Sequence, residues 1–212
     1  MMYQMLKRAM DIILSLFLLI LFSPVMVATA VAIKLTSKGP VFADIPKRVG
    51  MNGNEFKIFK FRSMILNAHE MLKSDPKFKQ LYEEYKRTSY KLHHDPRVTP
   101  VGKFIRKYSI DEMPQFFNVL KGEMSVVGPR AYFPDELVHQ QKEYPKTKKL
   151  VSEVLSVRPG ITGYWQVTGR SEVNFDKRIE MDAYYARKKS LIFDILILLK
   201  TPWAMISGKG AV

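Results

Sequence analysis

The chain has 212 residues, 47% of them hydrophobic, with 34 Lys and Arg against 20 Asp and Glu, a formal net charge of +14. That length suits one domain with its own core, or a domain with attachments. The charge favours an anionic partner: nucleic acid, an acidic membrane face or a phosphorylated substrate. Cysteine is absent, which excludes a disulfide framework, a thiol nucleophile and a Cys-based zinc site.

Lys7 and Arg8 precede a run from Ile12 to Ile33 without a charged residue. Its length is about that of a bilayer span, roughly 20 residues. It is longer than a usual signal-peptide apolar region, and no small-residue cleavage site follows closely. Ser23-Pro24 stands at its centre, where proline removes a backbone hydrogen bond and bends the axis. The Ser23 hydroxyl is placed to satisfy a carbonyl that Pro24 frees. Lys34 and Lys38 follow the run, so the positive-inside tendency puts both ends on the cytoplasmic side. Each half, about a dozen residues or roughly 18 Å of helix, is short for a hydrocarbon core of about 30 Å. Two forms stay open on these cues: a re-entrant helix broken at Ser23-Pro24, and an ordinary kinked span.

Gly39-Pro40 ends this segment, and Val41-Phe42 and Val49 lead to Asn52-Gly53, a strong signal for a tight hairpin. The run Lys57 to Met64 reads as a strand with apolar groups on both faces, its lysines those of a solvated edge. Between residues 64 and 94 the spacing of Leu66, Met71, Leu72, Phe78, Leu81, Tyr82 and Tyr85 predicts two helices split at Asp75-Pro76. His93-His94-Asp95 lacks the spacing of a zinc site.

The informative stretch is Tyr108-Ser109-Ile110-Asp111-Glu112-Met113-Pro114-Gln115. Two carboxylates open a predicted helix that stops at Gly122. Ser109 and Glu112 have capping-box spacing, although Pro114 fits more easily if Asp111 itself is the cap. Against capping stands a chemical reading. Arg106, Lys107 and Arg130 surround the pair in sequence, as a site for an anionic substrate and a divalent metal would require. A helix N-terminus would keep Asp111 ionised and hold phosphate beside it. A carboxylate attacking phosphorus needs Mg²⁺ and arginines to neutralise charge, and aspartyl phosphates are known covalent intermediates. Val126-Val127-Gly128-Pro129 then places Arg130 at the end of an ordered element, where a guanidinium can grip phosphate. No P-loop or Rossmann glycine pattern is present.

Further on, Arg158 to Gly163 reads as a turn, Tyr164 to Val167 as a short strand, and Gly169-Arg170 leads toward a helix from Phe175 to Arg187. Leu191 to Leu199 has Asp194 as its only charge and is too short to span. With Trp203 and nearby lysines, residues 190–206 suit an interfacial segment; a core helix is the alternative.

Several runs together resemble the bacterial sugar transferases, monotopic phosphoglycosyl transferases that move a sugar 1-phosphate onto a polyprenol phosphate. They are Lys60 to Met64, Asp95-Pro96-Arg97, Ser109 to Gln115, Asn118 to Ser125, Val127 to Arg130, Arg158 to Gly163 and Asp182 to Tyr185, in family order over nearly the whole chain. Met113 stands where leucine is common, a tolerable apolar swap. The chain looks like the catalytic portion of larger relatives that carry extra transmembrane helices, helices that this sequence lacks. The resemblance implies an α+β, mainly helical fold: a re-entrant membrane helix (1–38) broken at Ser23-Pro24, a small β-hairpin, and a cytoplasmic catalytic domain (39–212) with interfacial helices. It implies that Asp111 attacks the β-phosphorus of a UDP-sugar and releases UMP, that undecaprenyl phosphate then displaces Asp111, and that Glu112 holds Mg²⁺. Arg106 and Arg130 are the implied phosphate contacts, with Lys60 and Arg62 behind them. Arg158 and Asp182 either touch nucleotide or sugar or form structural ion pairs. The implied setting is the cytoplasmic face of the bacterial inner membrane, and family members can form homodimers. The competing functions are an inactive membrane-bound scaffold and a nucleic-acid binder, for which no helix-turn-helix, RNP or zinc-finger pattern is present.

Overall fold

The computed structural model describes residues 2–88, 90, 92, 94–168 and 173–206. His93, Gly169 and Arg170 lie outside the described residues.

The first helix, α1 (Met2–Thr36), runs continuously through Pro24. The expected break at Ser23-Pro24 is therefore not a break in the helix. Pro24 removes the amide that would pair with the Ile20 carbonyl, and the Ser23 hydroxyl donates to that carbonyl at 2.8 Å instead, so the lost bond is replaced in place. Both ends of α1 are fastened to the rest of the chain. Lys7 pairs with Asp11 (3.4 Å) and Asp194 (3.1 Å), and Arg8 donates to the carbonyls of Val119 and Leu120. At the far end Ile33 is buried with Phe61 and Ile105. Between these anchors Ile13, Phe17, Ile20, Leu21 and Val27 are each more than half exposed. Among the described residues α1 is the one helix long and apolar enough to cross a membrane.

β1 (Arg48–Val49) pairs antiparallel with β2 (Glu55–Phe56). The connecting turn uses positive φ at Asn52 (59°) and Gly53 (81°), the backbone that the Asn-Gly pair adopts most readily. The strand expected over 57–64 does not form. Phe42 and Val98 contribute only isolated bridges, to Phe61 and Met64. The segment is extended but spends its amides elsewhere: Phe59 N–H on the Asn118 side chain, Phe61 N–H on the Asp111 carbonyl. Asp75-Pro76 splits the insertion as expected, into α2 (Ala68–Ser74) and α3 (Lys79–Arg87), the Asp75 carboxylate accepting from Lys77 N–H at 2.9 Å.

α4 (Pro100–Lys107) starts at Thr99, whose hydroxyl accepts from Gly102 N–H. A 3₁₀ turn at Ile110–Glu112 precedes α5 (Gln115–Lys121), which ends on Gly122 at φ +83°. Then come β3 (Ser125–Val127), α6 (Pro134–Glu143), α7 (Lys148–Val154) and β4 (Gly160–Thr162), which pairs in parallel with β3. Tyr164–Thr168 is a helix, α8, and not the expected strand; the strand lies just before it. A Cβ on Gly128, Gly160 or Gly163 would collide with backbone atoms between β3 and the start of α8, so the two segments meet at glycine contact distance. α9 (Phe175–Lys188) and α10 (Leu191–Ile206) are the last of the described elements.

Among the described residues the fold is mainly helical, with two minimal sheets. One core gathers Val119, Met124, Val126, Tyr185 and Ile197; a second gathers Tyr132, Leu137, Val151, Phe175 and Ile179. Each such side chain, fully buried, contributes about 1.5–3 kcal/mol. α10 turns Ile197 inward and leaves Ile192, Leu199 and Trp203 more than 70% exposed. Its one acid, Asp194, is fully buried, accepting from Tyr185 OH (2.6 Å) and Tyr3 OH (3.2 Å) beside Lys7.

Candidate active site

A left-handed Ser109 (φ 55°) swings the chain out of α4 and into the 3₁₀ turn that carries Asp111 and Glu112. Ser109 makes no side-chain capping bond, and α5 begins after Pro114, one turn beyond Asp111. Neither capping expectation is met, because Pro114 itself starts the helix and both carboxylates are engaged from another direction. Phe61 N–H donates to the Asp111 carbonyl at 2.9 Å, which lays the 57–61 segment along the turn. Lys60 Nζ thereby reaches both acids, 2.9 Å from Asp111 Oδ2 and 3.1 Å from Glu112 Oε1.

Charge sharing sets the protonation of the trio. Burial pushes the Asp111 carboxyl above the usual range and the Glu112 charge adds to the rise, while Lys60 and Arg106 pull it back. Burial also opposes ionisation of Glu112, but the Lys60 ammonium outweighs it, helped by Arg130 and Arg48, and holds Glu112 below its ordinary value. Burial lowers Lys60, and the two carboxylates more than reverse that. Asp111 is only 2% exposed, so this is an acid whose charge depends on its neighbours.

The trio forms one wall of a cavity of about 540 Å³, a size suited to a small-molecule ligand. Arg48, Arg62, Arg97, Arg106 and Arg130 line it with Lys60, against the carboxylates of Asp44, Asp95, Asp111 and Glu112. Such a cationic surplus in a cleft suits a phosphorylated ligand. The structure thus brings together Lys60, Arg62, Arg106, Asp111, Glu112 and Arg130. Within that set Arg62 is tied down: its guanidinium donates to the Lys38 carbonyl (2.5 Å) and to the Ser37 carbonyl and hydroxyl, fixing the exit from α1. Arg158 and Asp182 are not on the cavity wall. Arg158 Nε caps α5 through the Gly122 carbonyl at 2.8 Å. Asp182, fully buried, accepts from Arg130 N–H (3.1 Å) and Tyr132 OH (2.8 Å). Its effect on the cavity passes through the backbone of Arg130. Asp95 is engaged by Arg97 in a two-pronged pair (2.8 and 2.6 Å).

Four residues that shape the site were not among the candidate site residues. Arg48 stacks on the Phe133 ring, 3.3 Å from its centroid, and donates to the Ala131 carbonyl; burial and the Arg130 charge bring its guanidinium down to about 10. Glu136 lies between Arg130 (4.0 Å) and Arg178 (3.7 Å), and Trp165 sits beneath both guanidinium groups at 5.8 and 5.6 Å. Asn118, fully buried, holds the 57–59 segment. Only Asn118 carried a signal, a carboxamide in the middle of the apolar run Phe116 to Leu120.

Among the described residues no three His, Asp or Glu side chains cluster to hold a metal alone. Asp111 and Glu112 offer two adjacent carboxylates, and Mg²⁺ is commonly held by one or two carboxylates with substrate phosphates and water. The donor set fits that cation in the company of a phosphorylated ligand.

The model of the family described as bacterial sugar transferase matches residues 2–208. Undecaprenyl-phosphate galactose phosphotransferase of Salmonella typhimurium is 42% identical over 210 residues, 97% of this chain and 41% of that protein. UDP-glucose:undecaprenyl-phosphate glucose-1-phosphate transferase of Escherichia coli is 39% identical over 216 residues, 98% of this chain and 42% of that protein. Exopolysaccharide production protein ExoY of Rhizobium meliloti is 39% identical over 208 residues, 98% and 88% of the two chains. The chain spans about two fifths of the first two relatives and nearly nine tenths of the third. A cation-lined cleft around an acid pair, and a match that runs through both, converge on one assignment: the chain belongs to the bacterial sugar transferase family.

Proposed function

We propose that this protein transfers a sugar 1-phosphate from a UDP-sugar to undecaprenyl phosphate. The observation that carries the reading is Asp111: a carboxylate buried at the wall of a cationic cleft, with Lys60 beside it and Glu112 next in sequence. The names of the Salmonella and Escherichia relatives supply the acceptor and the donor class.

In the first step Asp111 attacks the β-phosphorus of the donor. A new carboxylate O–P bond forms, the bond from that phosphorus to the bridging oxygen breaks, and UMP departs with the electron pair. In the second step a phosphate oxygen of undecaprenyl phosphate attacks the same phosphorus. The carboxylate leaves, and undecaprenyl diphosphosugar results. Both nucleophiles are anions, so neither step needs a base; each needs countercharge. Lys60 steadies Asp111, and Arg106, Arg130 and Arg48 face the phosphoryl oxygens. Mg²⁺, held by Glu112 together with substrate phosphate, would supply further neutralisation of the phosphoryl charge. Burial raises Asp111, and Lys60 and Arg106 oppose that rise, which favours the carboxylate form that attacks.

The same reading places residues 1–38 as a re-entrant anchor on the cytoplasmic face of the bacterial inner membrane and 39–212 as the catalytic domain, with α10 against lipid. What supports the shallow anchor is that Lys7 and Arg8 at one end of α1 and Ile33 at the other all pack on the same body of the protein. A helix that crossed and left by the opposite face would carry one end away. The test is Asp111→Asn: UMP release from UDP-sugars in the presence of undecaprenyl phosphate stops while the protein stays in the membrane fraction. Retained release refutes the nucleophile.

A further inference from the structure

We infer that Asn118 is a positioning residue that sets Lys60, and through it Asp111, for the reaction; the role in catalysis rests on the proposed reading of Asp111. Asn118 is fully buried in α5 and makes three side-chain bonds. Its Oδ1 accepts from Phe59 N–H at 2.8 Å. Its Nδ2 donates to the Lys57 carbonyl at 2.9 Å and to Glu123 Oε2 at 2.7 Å. The carboxamide thus stands in for a neighbouring strand, occupying the backbone groups on either side of Ile58.

The consequence falls on the next residues. Lys60 lies between two fixed amides, Phe59 N–H on Asn118 and Phe61 N–H on the Asp111 carbonyl, and its own carbonyl accepts from Ala43 N–H at 2.9 Å. Those restraints leave the side chain of residue 60 one direction to take, toward the 3₁₀ turn with its two acids. Glu123 orients the carboxamide: with one Nδ2 proton taken by a carboxylate and the other by a carbonyl, Oδ1 has to face Phe59 N–H. No hydrophobic residue of similar size reproduces this, because each leaves a buried amide and a buried carbonyl without partners.

Two single variants and one double variant test it. Asn118→Leu removes the clamp. Asn118→Asp keeps the acceptor for Phe59 but leaves the Lys57 carbonyl without its donor and sets two carboxylates, 118 and 123, against each other; adding Glu123→Gln restores a donor across the second gap alone. The first readout needs no substrate: acylation of Lys60 by an amine-reactive ester in the folded protein, quantified by peptide mass spectrometry against Lys73 and Lys103. We expect labelling of Lys60 to rise at least threefold in Asn118→Asp with the reference lysines unchanged, and to return toward wild type in Asn118→Asp/Glu123→Gln. The second readout is UMP release. A side chain misplaced near the reacting centre costs about 100-fold, so kcat falls by 10- to 100-fold with donor KM within threefold, and the double variant regains part of it. Unchanged Lys60 labelling in a folded Asn118 variant, or a rise shared by every lysine, overturns the proposal. Wild-type protein that releases no UMP sinks the proposed reaction instead, and the labelling arm still decides whether Asn118 sets Lys60.

Discussion

Replacing Asp182 by asparagine separates a structural acid from a substrate contact, because the two roles leave different signatures. Burial raises this carboxyl from 3.8 to about 7, against the pull of the Arg130 amide, the Tyr132 hydroxyl and the Arg178 charge. In the unfolded chain it titrates near its ordinary value, so between about pH 4 and pH 7 the folded state holds a proton that the unfolded state has released. Stability from this group is therefore full below pH 4 and is lost as pH rises toward 7. A difference of three units at 1.36 kcal/mol each gives about 4 kcal/mol, or roughly 10 °C in midpoint for a chain of this size. The asparagine carboxamide oxygen can still accept from Arg130 N–H and Tyr132 OH, and it does not ionise. Thermal midpoints of the detergent-solubilised protein across pH 4–8 should fall with pH in wild type and stay flatter in Asp182→Asn. Donor KM should hold within about threefold. An unchanged pH slope refutes the burial argument, and a large KM increase with an unchanged slope makes Asp182 a ligand contact.

Lys60→Met leaves Asp111 buried beside Glu112 with its nearest countercharge gone, and unpairing a buried ion costs about 3 kcal/mol. The expected result is a lowered thermal midpoint together with loss of UMP release, and full activity in this variant contradicts the pairing. Gly128→Ala drives a Cβ against the Arg158 carbonyl (2.5 Å) and Gly160 N (2.7 Å), so the β3–β4 contact has to spread at a cost of about 1–3 kcal/mol. A thermal melt equal to wild type would show that the two segments do not meet at glycine distance.

What the sequence displayed was whatever is decided locally. Asn52-Gly53 makes its turn, Pro76 splits α2 from α3, and Ser23 compensates Pro24, each because the residue's own backbone chemistry dominates. Errors came where partners are distant in sequence. Tyr164 to Val167 looked like a strand because aromatic and β-branched residues favour one, yet the pairing edge is at Gly160–Thr162, opposite a strand 35 residues earlier in register. Residues 57–64 have a strand's composition but find only isolated bridges at Phe61 and Met64, and at 57–59 an asparagine side chain takes the place of a neighbouring strand. The cations were legible as a set and not as individuals. Composition marks Lys60, Arg62, Arg106 and Arg130 alike, and only the fold commits Arg62 to carbonyls at the end of α1 while leaving Lys60 on the acids. Arg48 and Glu136 gave no sign, because their meaning lies in Phe133 and Arg178, which the chain brings near only when folded.

The most direct test of the central claim is the intact mass of the wild-type protein after incubation with a UDP-sugar and Mg²⁺, without lipid acceptor. The account predicts a gain equal to one phosphosugar, mapped by peptide fragmentation to Asp111 and discharged when undecaprenyl phosphate is added. Product that forms at the normal rate while no such adduct is ever found on Asp111 would contradict it.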